Sequence, residues 1–330
     1  MGHMELRMRA SLVPILIFGL AAGAAFAQKP KNQKDDVAQI GSRNVGTCVN
    51  FFSMEKEMAL GKQLAQEVQR QARMVEDPLI SEYVNRIGQN LVRNSDAKVP
   101  FTFQVIEGEA PNAFALPGGF IFVYSGLMKI ASEESELAAA MAHEIAHVAA
   151  RHMTCQATRS QIASIATLPL SVLLGGWGGY AARQGAAAVP TAFLHFGRKD
   201  ESEADYLGVQ YMYAAGYDPT GAISIFEKIE SLNRKRPGLV DRVFSSHPMD
   251  DDRIQKTERE IARILPDKLE YVVNTSDYNA IRDRLLAQES KRKAEDRGKP
   301  VLRRATSPGD PPAEKPEGDR PTITRRDLID

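Results

Sequence analysis

The sequence predicts a mostly helical α+β domain with a small antiparallel sheet beside one helix that carries the chemistry. Three observations lead there. Apolar residues recur every three or four positions through 53–91 and again from about Ser132 to Ala157. Two short runs, Phe101–Ile106 and Phe120–Tyr124, are β-branched and aromatic and read as strands. A His-Glu-Ile-Ala-His pattern lies inside the second helical run, at His143 to His147.

Composition sets the frame. The 330 residues are 43% hydrophobic and 25% charged, with a formal net charge of zero. That is an ordinary globular balance, enough for one large core or two smaller ones. No Lys/Arg block is interleaved with aromatics, so nucleic acid is not an expected partner.

Along the chain, Met1-Gly2-His3-Met4 reads as a vector-like prefix. Arg7 and Arg9 then precede an uncharged stretch ending Ala25-Phe26-Ala27, the pattern of a signal peptide cleaved after Ala27. Export of this kind implies a bacterial envelope, most simply the periplasm. Residues 28–50 are polar and read as a linker into a domain spanning 51–287. Ser53 opens a first helix carrying Met54, Met58, Leu60, Leu64 and Val68, and Asp77-Pro78 starts a second through Ile80, Tyr83, Val84, Ile87 and Leu91. Between the two strands lies Asn112 to Leu116, closed by a Pro117-Gly118-Gly119 turn.

The next helix is N-capped by Ser132, and Glu133, Glu134 and Glu136 favour its positive end. On a helix His143 and His147 stand one turn apart on one face, as two imidazoles of a tetrahedral zinc site would. Glu144 stands where it can take a proton from a water that the metal activates. His152, about 140° round the cylinder from His147, reads as structural.

A third ligand is offered by Arg198-Lys199-Asp200-Glu201-Ser202-Glu203-Ala204-Asp205. Alone, this segment reads more readily as a solvated acidic helix start; with the upstream pattern it supplies Glu201. Glu203 points about 200° away from Glu201, so both cannot meet the metal. Asp205, one turn on, can accept the free ring N–H of a ligating histidine. Ala204 and Gly208 leave room for the first helix to come close. Further on, Asp218-Pro219 opens another helix, and Tyr271-Val272-Val273 reads as a strand followed by a short helix closing the domain.

These segments carry a resemblance. Asn50-Phe51-Phe52-Ser53, Asn112 to Gly119, His143 to Val148, Arg198 to Asp205, and Ser246-His247-Pro248 with Asp252-Arg253-Ile254 follow one another as in the HtpX and CAAX-prenyl-protease family of zinc metallopeptidases. The chain is most similar to that family's soluble periplasmic, BepA-like branch. The resemblance spans about residues 50–265 and implies a zincin-like domain, one Zn²⁺ per chain, peptide-bond hydrolysis, and Glu201 as third ligand. It also implies polypeptide substrates, unfolded or misassembled envelope proteins, and contact with envelope assembly or membrane-associated proteins. By the same resemblance, Asn112, Ala113 and Phe114 belong to an edge strand that holds substrate through main-chain bonds. His247 reads either as a donor to the developing oxyanion or as an occupant of the metal's fourth position. Arg253 is a candidate for holding a substrate carbonyl or carboxylate.

Three features leave alternatives open. Residues 162–182 are uncharged and glycine-rich, fitting an active-site lid or a membrane contact. Cys48 and Cys155 can pair or remain free thiols. The lid and the charged, proline-rich tail from 288 to 330, expected to be disordered, also suit a zinc-holding chaperone with incidental proteolysis.

Overall fold

The computed structural model describes residues 33–46, 48–166, 196–235, 247 and 251–297. The expectations for the signal peptide, for Ser246 and Pro248, for most of the lid and for the tail past 297 lie outside the described residues. Two compact units divide the chain at 283/284; the site and everything around it belong to the first.

Helix α1 (Met54–Gln71) begins where Ser53 accepts the Lys56 N–H at 3.3 Å. Helix α2 (Pro78–Arg93) is capped by Asp77, with proline at the first helical position, where its fixed φ suits the helix. Its buried stripe is Ile80, Tyr83, Val84, Ile87 and Leu91. Strands β1 (Thr102–Ile106), β2 (Ala113–Leu116) and β3 (Phe120–Tyr124) form a sheet of order β1-β3-β2. This sheet is mixed, where a fully antiparallel one was expected. The hairpin β2–β3 is antiparallel, but β1 runs parallel to β3. The tight turn after Leu116, with Gly118 and Gly119 at φ +75° and +96°, forces reversal between β2 and β3. The chain between β1 and β3, β2 included, acts as the crossover, so β1 pairs on the other side of β3. Strand β2 is thereby an edge. Phe114 stacks on Phe122 at 5.2 Å on the face covered by Leu64, Ala65 and Val68 of α1.

Short helix α3 (Ser125–Ile130) leads to α4 (Glu134–Ala149), which is buried along nearly its whole length. Its cap is Glu133, one residue past the expected Ser132. The reason is local: the Glu136 carboxylate accepts the N–H groups of Ser132 (2.6 Å) and Glu133 (3.4 Å) and is held by Lys228 at 2.5 Å. Nor does the helix continue to Ala157. It ends at Ala149, Arg151 adopts φ +57°, and α5 (His152–Ala166) sets off anew. That left-handed conformation costs an L-residue about 1–2 kcal/mol. It is held by the Arg151 guanidinium, on Glu57 (2.7 Å) and the Phe52 carbonyl (2.7 Å).

Helix α6 (Arg198–Ala215) ends on Gly216 at φ +89° and packs along α4. Gly208 makes this approach possible, since a Cβ there would lie 3.3 Å from the His143 nitrogen. Helices α7 (Gly221–Lys235) and α8 (Asp251–Ile264) complete the shell. The expected strand at Tyr271–Val273 is a single bridge of Val272 to Tyr217. Among the described residues no strand pairs with it, and Val272 and Val273 are 38% exposed. Instead of a short helix, α9 (Ser276–Arg297) runs past residue 287, where the tail was expected to begin.

Before α1, part of the segment expected as a linker is folded. Residues 33–39 form two 3-10 turns, and Arg43 pairs with Asp96 at 2.6 Å with both side chains fully buried. Gln210 accepts from Arg43 at 2.6 Å, and the Tyr211 hydroxyl donates to Asp96 at 3.1 Å. Cys48 and Cys155 form a disulfide, their Cα atoms 5.9 Å apart. Among the described residues no helix is long and apolar enough to cross a membrane.

Candidate metal centre

The i, i+4 spacing on α4 brings the Nε2 atoms of His143 and His147 to 3.0 Å from each other. From α6, Glu201 presents Oε1 at 3.4 Å from His147 Nε2 and Oε2 at 3.4 Å from His143 Nε2. His247 adds a fourth donor, its Nδ1 3.0 Å from Glu201 Oε1 and 3.3 Å from His143 Nε2. All four side chains are buried, and their donor atoms lie within 4.8 Å of one another.

These residues fit a divalent metal. Two imidazole nitrogens 3.0 Å apart that face one point repel unless a cation or proton lies between them. Donor separations of 3.0–3.4 Å match the edge of a tetrahedron with metal–ligand bonds of about 2.0–2.1 Å. Glu201 Oε2 is buried and is met by the Arg253 guanidinium as an ion pair at 2.9 Å and by His143 Nε2 at 3.4 Å. Imidazole and carboxylate donors in this number suit zinc among the common biological ions.

Asp205 stands where its spacing from Glu201 puts it, Oδ1 2.9 Å from His143 Nδ1. Arg253 grips the same carboxylate with two nitrogens, at 2.8 and 2.7 Å. With Glu201 on its third nitrogen, this guanidinium orients two carboxylates, and it also lines the recess beside Asn112 and His247. Electrostatics follow from these pairings. Burial would raise the Asp205 carboxyl, but Arg253 and then His143 hold it at about 2. Burial likewise opposes the charge on Glu201, and His247 with the two α4 histidines overcomes it, leaving the group well below the carboxylate range. Burial drives His147 down, whereas hydrogen bonds that His143 donates to Asp205 and Glu201, with the charges of those carboxylates, outweigh burial and raise His143 to about 10.

Glu144 lies between the donors and the sheet. Its Oε2 accepts the Ala115 N–H at 2.8 Å, and Oε1 is 3.3 Å from His247 Nε2. Burial raises its pKa, only partly opposed by His247 and His143. The Asn112 carbonyl accepts the Tyr124 N–H at 2.9 Å, so the alternation of an antiparallel ladder turns the backbone groups of Ala113 and Ala115 away from β3, toward the site. Phe114 does the opposite: its backbone faces β3 and its ring is in the core. A recess of about 50 Å³ adjoins Asn112, Ala113, Glu144, His247 and Arg253, and its apolar wall is Leu127, Ala140, Ile225, Phe226 and Ile229.

Sequence reasoning missed two neighbours of His147. Phe196 stacks on its ring at 3.9 Å, and His152 brings Nδ1 to 2.9 Å from His147 Nδ1. Only the break at Arg151 makes the second contact possible, and no spacing rule announces it.

A buried histidine–histidine–glutamate set on two crossing helices, with a glutamate following the first histidine and an edge strand alongside, defines a metallopeptidase-type domain. The sequence matches the description "Peptidase family M48" over residues 78–261, and the chain belongs to that family. It is 29% identical over 273 residues to the beta-barrel assembly-enhancing protease of Escherichia coli K12, covering 79% of this chain and 54% of that one. With the protein of the same name from Yersinia pestis the identity is 28% over 77% of this chain and 53% of the relative. The mitochondrial metalloendopeptidase OMA1 of Schizosaccharomyces pombe is 32% identical over 53% of this chain and 51% of its own. The chain thus spans about half the length of the curated relatives it matches. Family membership favours a peptidase over a chaperone with incidental proteolysis.

Proposed function

We propose that the chain is a zinc-dependent endopeptidase of the bacterial cell envelope that cleaves unfolded or misassembled polypeptides. The observation that carries this reading is the convergence of His143, His147 and Glu201 on one point, with Glu144 beside it. Zn²⁺ held there supplies Lewis acidity toward the scissile carbonyl and makes water a usable nucleophile near neutral pH. The rest falls to the chain. Asp205 orients His143, and Arg253 orients Asp205 and Glu201. Glu144, made more basic by burial, takes the proton of the attacking water and returns it to the leaving amine. Substrate lies extended along β2, where Ala113 offers main-chain partners and Asn112 flanks it with its side chain. The neighbouring recess accepts an apolar side chain, which folded proteins bury and unfolded ones present.

The signal-peptide pattern at 1–27 supports export to the periplasm. The Escherichia coli and Yersinia pestis relatives are named for beta-barrel assembly, which suggests envelope assembly proteins as partners. The test is digestion of unfolded casein: cleavage stops with a chelator and returns with zinc. A rate indifferent to metal would exclude the proposal.

His247 is read here as a gate. Its Nδ1 occupies the corner of the donor cluster where water and substrate must enter, and a catalytic zinc keeps that position open. His247→Ala is therefore expected to raise casein cleavage several-fold while leaving metal content unchanged. A fall of about 10²-fold would instead make it an oxyanion donor.

A further inference from the structure

The donor His147 has its own support, independent of the Asp205–Arg253 pair that serves His143. Its Nδ1 lies 2.9 Å from Nδ1 of His152, and His152 Nε2 lies 3.4 Å from Glu203 Oε2. Glu203 Oε1 in turn meets Lys34 at 2.5 Å. His152 is 2% exposed and His147 is fully buried, so no water competes for their shared hydrogen bond.

Counting protons fixes the direction of this chain. Bound through Nε2, a neutral His147 carries its one ring proton on Nδ1 and must donate it. His152 Nδ1 is then the acceptor and holds no proton, which leaves the ring proton of neutral His152 on Nε2, facing the Glu203 carboxylate. Every buried ring nitrogen has one role, and the direction runs from metal ligand to surface carboxylate.

We propose that His152 and Glu203 are positioning residues for the metal site, which set the tautomer and ring orientation of His147. Glu203 lies on α6 two residues beyond Glu201, so one helix supplies a ligand and the end of a support line for another ligand. The inference rests on His147 being a metal ligand. It concerns affinity and tautomer, and so can fail while the peptidase reading stands.

The experiment measures zinc affinity by competition with a chromogenic chelator, on the full chain. His152→Leu fills similar space without an acceptor and is expected to weaken zinc binding about 10–100-fold. His152→Asn can place Oδ1 near the position of Nδ1, and is expected to restore at least half of that loss on a logarithmic scale. Glu203→Ala should weaken binding less than His152→Leu, and Glu203→Gln, which still accepts, less again. Melting of the metal-free proteins separates positioning from folding: a structural role would lower all variants together, without rescue by asparagine. Nitrogen-15 imidazole spectra of the zinc-loaded protein should show His152 as the Nε2–H tautomer. A proton on His152 Nδ1, or unchanged zinc affinity in His152→Leu, would overturn the proposal. If His147→Ala also left zinc affinity unchanged, the failure would lie with the ligand set itself.

Discussion

Replacing Glu144 by glutamine is expected to lower casein cleavage by about 10³-fold, within the 10²–10⁴-fold range of positioned acid–base groups, while the metal stays bound. The substitution keeps shape and removes basicity. A glutamine oxygen can still accept the Ala115 N–H that Glu144 accepts at 2.8 Å, so the contact between α4 and β2 survives. None of the four converging donors is changed. The loss corresponds to about 4 kcal/mol of transition-state stabilisation. Metal content by elemental analysis and initial rates of casein cleavage, measured on one preparation, check both halves. More than a tenth of normal activity with metal in place would mean that another group moves the proton.

Removing the Cys48–Cys155 bond should cost about 2–5 kcal/mol of stability with little loss of activity. The closed loop is long, 107 residues of sequence separation, and cross-linking so long a loop removes much of the freedom of the unfolded chain. In a domain of this size the expected fall in Tm is about 5–15 °C. Local hydrogen bonds keep the folded geometry: Asn50 reaches Thr154 at 2.8 Å, and the Phe51 N–H reaches Thr158 at 3.1 Å. Calorimetry of the Cys48→Ser, Cys155→Ser double variant against the oxidised protein decides the matter. Equal Tm values would show that the bond contributes nothing to the folded state.

What could be read in the sequence was whatever depends on periodicity along one element. His143 and His147, and again Glu201 and Asp205, are i, i+4 pairs, and helical geometry alone aligns each pair. Ser53, Asp77 and Gly216 mark helix ends by their own chemistry. What escaped depends on partners distant in sequence. The parallel pairing of β1 with β3 is set by where β2 docks. The Tyr271–Val273 run has strand-forming residues but forms only a single bridge, Val272 to Tyr217, among the described residues. Arg151 has no residue-type signal for a left-handed turn; it is held there by Glu57 and Phe52, and so His152 could not be placed beside His147 in advance. The ion pairs of Arg253 with Glu201 and Asp205 could not be foreseen, because those carboxylates come from another helix.

The match to the family description begins at residue 78, yet the fold draws on residues well upstream. Arg43 is the buried counter-ion of Asp96. A shortened polypeptide starting at residue 51 would strand that carboxylate in the interior, a change that costs about 3–5 kcal/mol. The smallest autonomous piece of this protein is therefore bounded by charge neutrality beneath its surface. The bounds 78–261 of the family match would cut it too short.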